Sequence, residues 1–265
     1  MNARMPAVAG SFYPNNVEQL QRQLSSFIDE KSGTDIVPKA LIVPHAGYCY
    51  SGVIAGHGFS YLQKSKHIIE RVILLGPSHR VPLRGCAVPS SNVFTTPLGD
   101  INIDQRACQQ LQVLGLANCS EQAHQWEHSL EVQLPFLQSC LNTFDLIPIV
   151  VGACQPSDVA TLLKSLLSER AQSTLVVVST DLSHYHAYEE AQVLDSDTIR
   201  RILALSSDLA PENACGCYAL NGLLSFSTQQ AWQIKLISKA NSGDSKDVVS
   251  ANKEQVVGYA SFILY

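Results

Sequence analysis

Three short apolar runs of this chain end in turns that carry chemistry-bearing side chains. Residues 39–44 run into Pro44-His45-Ala46-Gly47, and Arg71–Gly76 runs into Pro77-Ser78-His79. Leu175–Ser179 runs into Thr180-Asp181-Leu182-Ser183-His184. Two imidazoles and a carboxylate in one crevice suit a divalent metal, with neutral imidazole as ligand and the carboxylate binding or orienting. An Asp held near an imidazole raises its basicity and fixes its orientation, so Asp181 and His184 also suit acid–base work. The plainer alternatives are turn histidines that bond their own loops and an Asx turn or helix cap at Asp181, with His184 and His186 facing solvent.

Cys215-Gly216-Cys217 opens a predicted helix. A thiol at a helix N-terminus is pulled towards thiolate by the dipole, which favours nucleophilicity or metal ligation. The alternative at Cys215 is a packed cysteine beside a Gly needed for close approach, and Cys217 reads as structural. His124-Gln-Trp-Glu-His128 matches a zinc-protease pattern, but that motif needs one continuous helix and a further carboxylate ligand. Here Glu127-His128-Ser129 sits at the start of a predicted 129–141 helix, where Glu127 and Glu131 complement the dipole. His57 and His67 read as a helix-surface residue and an exposed one. Arg80, Arg84, Tyr48 and Tyr50 suit an anionic or aromatic ligand. With no P-loop, no GxGxxG after a strand and no GxSxG elbow, the sequence predicts no nucleotide cofactor.

The elements that must position these groups alternate. Helices are expected at about 17–29 (capped by Asn15 or Asn16), 52–63, 104–114, 129–141, 156–170, 188–203 and 216–227. Besides the three runs above, strands are expected at 146–152, 232–237 and 256–264. Pro148 marks the first of these as an edge or bulged strand. Lys31–Thr34 is read as a helix exit, 80–100 as β-rich additions, and 238–253 as a polar connection. Alternating strands and helices imply βαβ units, while two late strands with no helix between them add an antiparallel portion. The expectation is α/β: a single three-layer domain over 1–265, with a mostly parallel or mixed central sheet and helices on both faces. In such a sheet ligands gather beyond the carboxyl ends of the strands.

Close to half of the 265 residues are apolar, enough for a large core. No stretch approaches a membrane span and no signal-peptide core follows Met1, so a cytoplasmic protein is expected. A net charge of −5 with scattered cations argues against a nucleic-acid partner or a polybasic membrane patch. Eight cysteines without CxxC spacing read as free, mostly buried thiols.

Pro44-His45-Ala-Gly-Tyr48, Leu75-Gly-Pro-Ser-His79, Glu127-His128-Ser-Leu-Glu131, Ser179-Thr-Asp181-Leu-Ser-His184 and Cys215-Gly216 together resemble the Memo family. Its prokaryotic members are called the B component of the AmmeMemoRadiSam system. Gly10–Pro14 and Thr96–Gly99 also look like that family, and the resemblance runs the full length in order. It implies a fold similar to the class III extradiol dioxygenases and a metal held by His45, His79 and Cys215. Asp181 and His184 would flank the metal, His184 as the acid–base group, and Glu127 and His128 would line the pocket. Partner proteins of the same system, including a radical-SAM protein, are also implied.

A His-His-Cys set favours copper(I), zinc or iron over magnesium or calcium. The first functional expectation is a non-haem iron or copper oxidoreductase, dioxygenase-like, acting on a small molecule. The alternatives are a binding protein that holds a peptide, phospho-ligand or metal ion without turnover, and a thiol hydrolase. The hydrolase would use Cys215 as nucleophile, His184 as base and Asp181 as orienter. The apolar strand ending at Tyr265 could be central or lie between copies of the chain.

Overall fold

The computed structural model describes residues 2–28, 36–168, 170–245 and 253–265. In chain order its first half holds β1 (Ala3–Arg4), α1 (Val17–Phe27), β2 (Ala40–Val43), α2 (Tyr48–Phe59), β3 (Arg71–Pro77), β4 (Cys86–Val88), β5 (Val93–Thr96), β6 (Gly99–Asn102), α3 (Gln105–Val113), β7 (Asn118–Cys119) and α4 (Glu121–Gln125). Then come α5 (Leu134–Cys140), β8 (Asp145–Val151), α6 (Pro156–Leu167), β9 (Thr174–Ser179), β10 (His184–His186), α7 (Tyr188–Leu203), α8 (Cys217–Gln229), β11 (Ile234–Asn241) and β12 (Val256–Leu264).

Nine of the described strands form one mixed sheet in the order β10-β12-β2-β9-β3-β8-β4-β7, with β11 also pairing β12. The fold is mixed α/β, a central sheet flanked by helices. Its middle strands β2, β9, β3 and β8 are mutually parallel. They are buried along their whole length apart from Asp145, which is why they read as near-continuous Val, Ile and Leu runs rather than alternating ones. The late strands β11 and β12 pair antiparallel, as expected, and β12 pairs antiparallel with β2. Helix α2 packs on β2, β11 and β12, while α8 packs on α6 and reaches β3 and β9. No helix among the described residues is long and apolar enough to cross a membrane.

Several boundaries differ from expectation for identifiable reasons. Helix α1 is capped by Asn16, whose side chain accepts the Gln19 N–H, but its expected exit at 31–34 lies outside the described residues. Helix α2 begins at Tyr48 rather than at Gly52. The Tyr48 N–H bonds the Phe12 carbonyl, and Ser51 Oγ turns back onto the Ala46 carbonyl. The expected 129–141 helix is a 3-10 turn over Glu131–Gln133 and then α5, because Pro135 favours a helical first turn there. Strand β8 is interior, not an edge. Ile103 bridges Leu146 and β4 joins only at Val150 and Val151, so the missing N–H of Pro148 falls in a gap between them. Strand β11 runs on to Asn241, so the expected polar connection starts later, and its centre at 246–252 lies outside the described residues.

The N-terminal segment is fastened by a buried carboxylate. Glu131, read from sequence as a dipole complement, is fully buried. It accepts the Ala7 and Val8 N–H groups at 2.8 and 2.9 Å and the Tyr13 hydroxyl at 2.7 Å, and pairs with Arg4 at 2.8 Å. Burial, then the charge and hydrogen bond of Glu131, push the Tyr13 hydroxyl upward in pKa, so it stays a donor. Removing one member of a buried ion pair leaves the other uncompensated, a loss of about 3–5 kcal/mol. Arg4→Ala should therefore lower the urea midpoint strongly. Because both changes break one network, Arg4→Ala with Glu131→Ala should cost less than the two single losses added together.

Candidate metal centre

Parallel register brings the expected residues to one edge of the sheet. Val43 lies opposite Ser179 across β2 and β9, and the two chains continue side by side. His45 and Asp181 each stand two residues further on, and the His45 N–H donates to Asp181 Oδ1 at 2.8 Å. His79 stands two residues beyond Pro77, the end of β3. Its ring centroid lies 5.2 Å from that of His45 and 4.8 Å from that of His128, which follows α4. One donor atom from each of His45, His79 and His128 lies within 4.8 Å of the others, a group that could hold a metal. Cys215 Sγ lies 3.4 Å from His45 Nε2.

Hydrogen bonding sets which ring nitrogens are free. Ser179 Oγ donates its single proton to the Ser129 carbonyl at 2.6 Å, so it can only accept from its other neighbours. These are Gln133 Nε2 at 2.8 Å and His45 Nδ1 at 2.9 Å, so His45 carries its proton on Nδ1 and presents a bare Nε2. His79 Nδ1 lies 3.0 Å from Glu127 Oε1. Burial alone would raise the Glu127 pKa, but hydrogen bonds from His79 and the backbone hold it at about 2. The carboxylate is thus ionised and His79 donates to it from Nδ1, so the Nδ1–H tautomer of the ring presents a bare Nε2. Imidazoles oriented by a carboxylate or hydroxyl on the far nitrogen are what metal sites use. Burial, then the neighbouring His79 and His128, push the His45 pKa well below its ordinary value. Burial likewise takes His128 down to about 4, so both rings are neutral at neutral pH.

The thiol departs from expectation. Instead of being acidified by a helix N-terminus, Cys215 has its pKa raised by burial and then by Asp181. Its proton can be given to His45 Nε2, and the Asp181 N–H reaches its sulfur at 3.3 Å. Gly216 permits this approach. A Cβ there would lie 2.7 Å from Thr180 Cβ and 2.8 Å from the Ser179 carbonyl.

These groups floor a cavity of about 550 Å³ whose wall carries Arg80, His184, Tyr185 and Glu212. His184 lines it, its pKa lowered by burial. Tyr185 is 70 % exposed on a left-handed backbone with φ 62°, where the pairing of His184 and His186 with β12 shifts register. Strain of this kind is held at functional sites. Three expectations need correction. Asp181, expected to steer His184, accepts the N–H groups of His45 and Ala46 instead. Glu127, expected at a ligand, is 1 % exposed and works from beneath His79. Tyr48, also expected at a ligand, is core: it packs on Tyr13 and Phe136, with its hydroxyl on the Val132 carbonyl. Arg80 lines the cavity, whereas Arg84 and Tyr50 do not. His124 is buried against the Ala87 carbonyl, outside the histidine group. Ser179, Ser129 and Gln133 were not anticipated. The one signal was a serine closing an otherwise apolar strand.

Residues 4–263 match the family model described as Memo-like protein. A MEMO1 family protein of Thermoplasma volcanium is 34% identical over 98% of this chain and 97% of its own length. One from Aquifex aeolicus is 35% identical over 99% of both chains, and one from Methanosarcina mazei is 34% identical over the whole of both. The crystal structure of an uncharacterized protein from Escherichia coli K12 superposes with a TM-score of 0.52 at 11% identity. It covers 84% of this chain and 98% of its own, a likeness of fold.

The protonation pattern predicts how metal binding releases protons. Near about pH 8.5 His45 and His128 are already neutral and Asp181, at about 7, is ionised, so a cation that takes up the Cys215 sulfur must displace its proton. Calorimetry in buffers of different ionisation enthalpy should find about one proton more released by wild type than by Cys215→Ala. Glu127→Gln removes the charge behind His79 and should weaken metal binding by about 10–100-fold.

Proposed function

The chain belongs to the Memo-like protein family, and from that premise we propose that it is a metal-dependent oxidoreductase acting on a small molecule bound in the cavity. The observation that carries this reading is the pair of bare Nε2 atoms on His45 and His79, each fixed by a partner on Nδ1. Cys215 is the third ligand in this reading. The rings of His79 and His128 are stacked only 20° from parallel, so their in-plane lone pairs do not meet at one point unless a ring turns. Cys215 already faces His45 Nε2. This leaves His128 beside the metal, packed on Phe12.

Imidazole and thiolate donors suit iron, copper or zinc, and iron or copper would supply Lewis acidity and one-electron chemistry at the cavity floor. The protein's own residues do the rest. His184 is neutral at neutral pH and borders the cavity, so it can accept a proton from a bound molecule and return it. Asp181 fixes the His45 turn through two backbone N–H groups. Arg80, on the wall, offers a cation to an anionic substrate. The thiol-hydrolase reading is weaker, because the buried Cys215 thiol resists ionisation and its neighbour is His45 rather than His184.

Elemental analysis of protein purified anaerobically without a metal-affinity tag should find iron or copper near stoichiometry, lost in His79→Ala and Cys215→Ser. His184→Gln should keep the metal and lower oxygen-dependent turnover by about 10²–10⁴-fold in a small-molecule screen. Metal absent from wild type and refused on reconstitution would contradict the proposal. Metal and ligand bound by His184→Gln and wild type alike, with turnover by neither, would identify a binding protein instead.

A further inference from the structure

The parallel strands also open at their other end. There, away from the histidines, a cavity of about 540 Å³ lies between the starts of β2 and β9 and the ends of α6 and α8. Its size falls within the range of small-molecule sites. Ile69, Leu167 and Phe226 line it and are buried. Trp232, also on the wall, is half-buried and meets Phe226 edge-on with ring centroids 5.3 Å apart. None of these residues lines the metal cavity.

The charges around this cavity have one sign. Lys39 and Lys164 line it, and among the described residues no Asp or Glu does. In a chain of net charge −5 that is a local inversion. The root of Lys39 is fixed, because its N–H donates to the Leu264 carbonyl at 2.7 Å and its carbonyl accepts the Val176 N–H at 3.0 Å. Its ammonium stands 5.5 Å from the Trp232 ring centroid, a cation–π contact that holds the charge against the apolar wall. Lys164 comes from the last turn of α6. Helix C-termini with bare carbonyls would repel an anion here. The Leu166 carbonyl, however, accepts from the Arg71 guanidinium. The Phe226, Ser227 and Thr228 carbonyls accept the N–H groups of Gln230, Trp232 and Ala231.

We propose that this cavity binds an amphipathic carboxylate, its hydrocarbon body on Ile69, Leu167, Phe226 and Trp232 and its head group at Lys39 and Lys164. Burial of the hydrocarbon supplies affinity, and the two cations select the head group. The site needs no metal. Strand β2 separates it from the histidines, with Lys39 just before its first residue and His45 two beyond its last.

Decanoate, kept below its micellar concentration, is to be titrated into the metal-free protein carrying Trp126→Phe. Trp232 is then the one tryptophan whose fluorescence is read. The expected result is a saturable change with decanoate and none with decyltrimethylammonium. Lys39→Gln combined with Lys164→Gln should weaken decanoate binding by about 10–100-fold and leave decanol binding unchanged. Both lysines are exposed, so the variant should keep the wild-type circular dichroism spectrum. Any of three results would overturn the proposal. One is no saturable uptake of decanoate, and another is equal decanoate affinity with and without the two lysines. The third is binding lost in Arg80→Gln but kept in the lysine variant, which would put the anion in the metal cavity instead.

Discussion

A carboxylate sealed inside a protein must have its charge answered by donors, and the face described here is arranged around how Glu127 does so. It is 1 % exposed and accepts the His79 ring and backbone N–H groups together with the N–H groups of His128 and Ser129. Four donors match the roughly four lone-pair sites of a carboxylate. Charge-assisted bonds of about 1.5–3 kcal/mol each offset a desolvation cost of several kcal/mol. Their combined effect exceeds that of burial, as the depressed pKa shows. The same bonds turn His79 outward, shape the 127–129 turn and set His128 against His79. Arg4 grips that turn from behind through the His124 and Glu127 carbonyls, at 2.8 and 2.6 Å. The N-terminal segment and the histidine face are therefore tied through one hydrogen-bonded network.

The second support is the serine that ends β9. Ser179 links the Ser129 carbonyl, the Gln133 amide and the His45 ring through one hydroxyl whose proton has a single destination. Its effect is to leave His45 Nε2 as a lone pair facing Cys215 and His79. Burial adds to this by keeping the imidazoles neutral at a pH where an exposed histidine would be partly charged. A site prepared in this way spends little of its binding energy on reorganising ligands. The cavity beyond it is open enough to admit a small molecule.

Much of this was readable in the sequence. Runs such as Leu175–Val178 read as buried strands, and parallel neighbours place their carboxyl ends together, so the pattern favours a meeting of His45, His79 and Asp181 over turn histidines that bond their own loops. The supporting shell was not readable, because its contacts join residues far apart in the chain. His45 and Ser179 are 134 residues apart, and Val8 and Glu131 are 123. Glu131 reads locally as a helix-dipole residue, since local spacing does not reveal that an N-terminal segment folds over it. Tyr48 sits in a polar, glycine-bearing turn, a setting that suggests a ligand contact, yet an aromatic ring starting a helix above Phe136 finds more area to bury inward. Pro148 misled in the opposite sense, because whether a strand is locally an edge depends on where its neighbour begins.

The central claim is that His45 and His79 offer prepared Nε2 lone pairs because Ser179 and Glu127 hold their Nδ1 protons. Long-range proton–nitrogen NMR on the metal-free protein at neutral pH reads the tautomer of each imidazole directly. The account predicts the Nδ1–H tautomer for both residues. A proton on Nε2 of either ring would contradict it, since that nitrogen would then have no lone pair to give a metal.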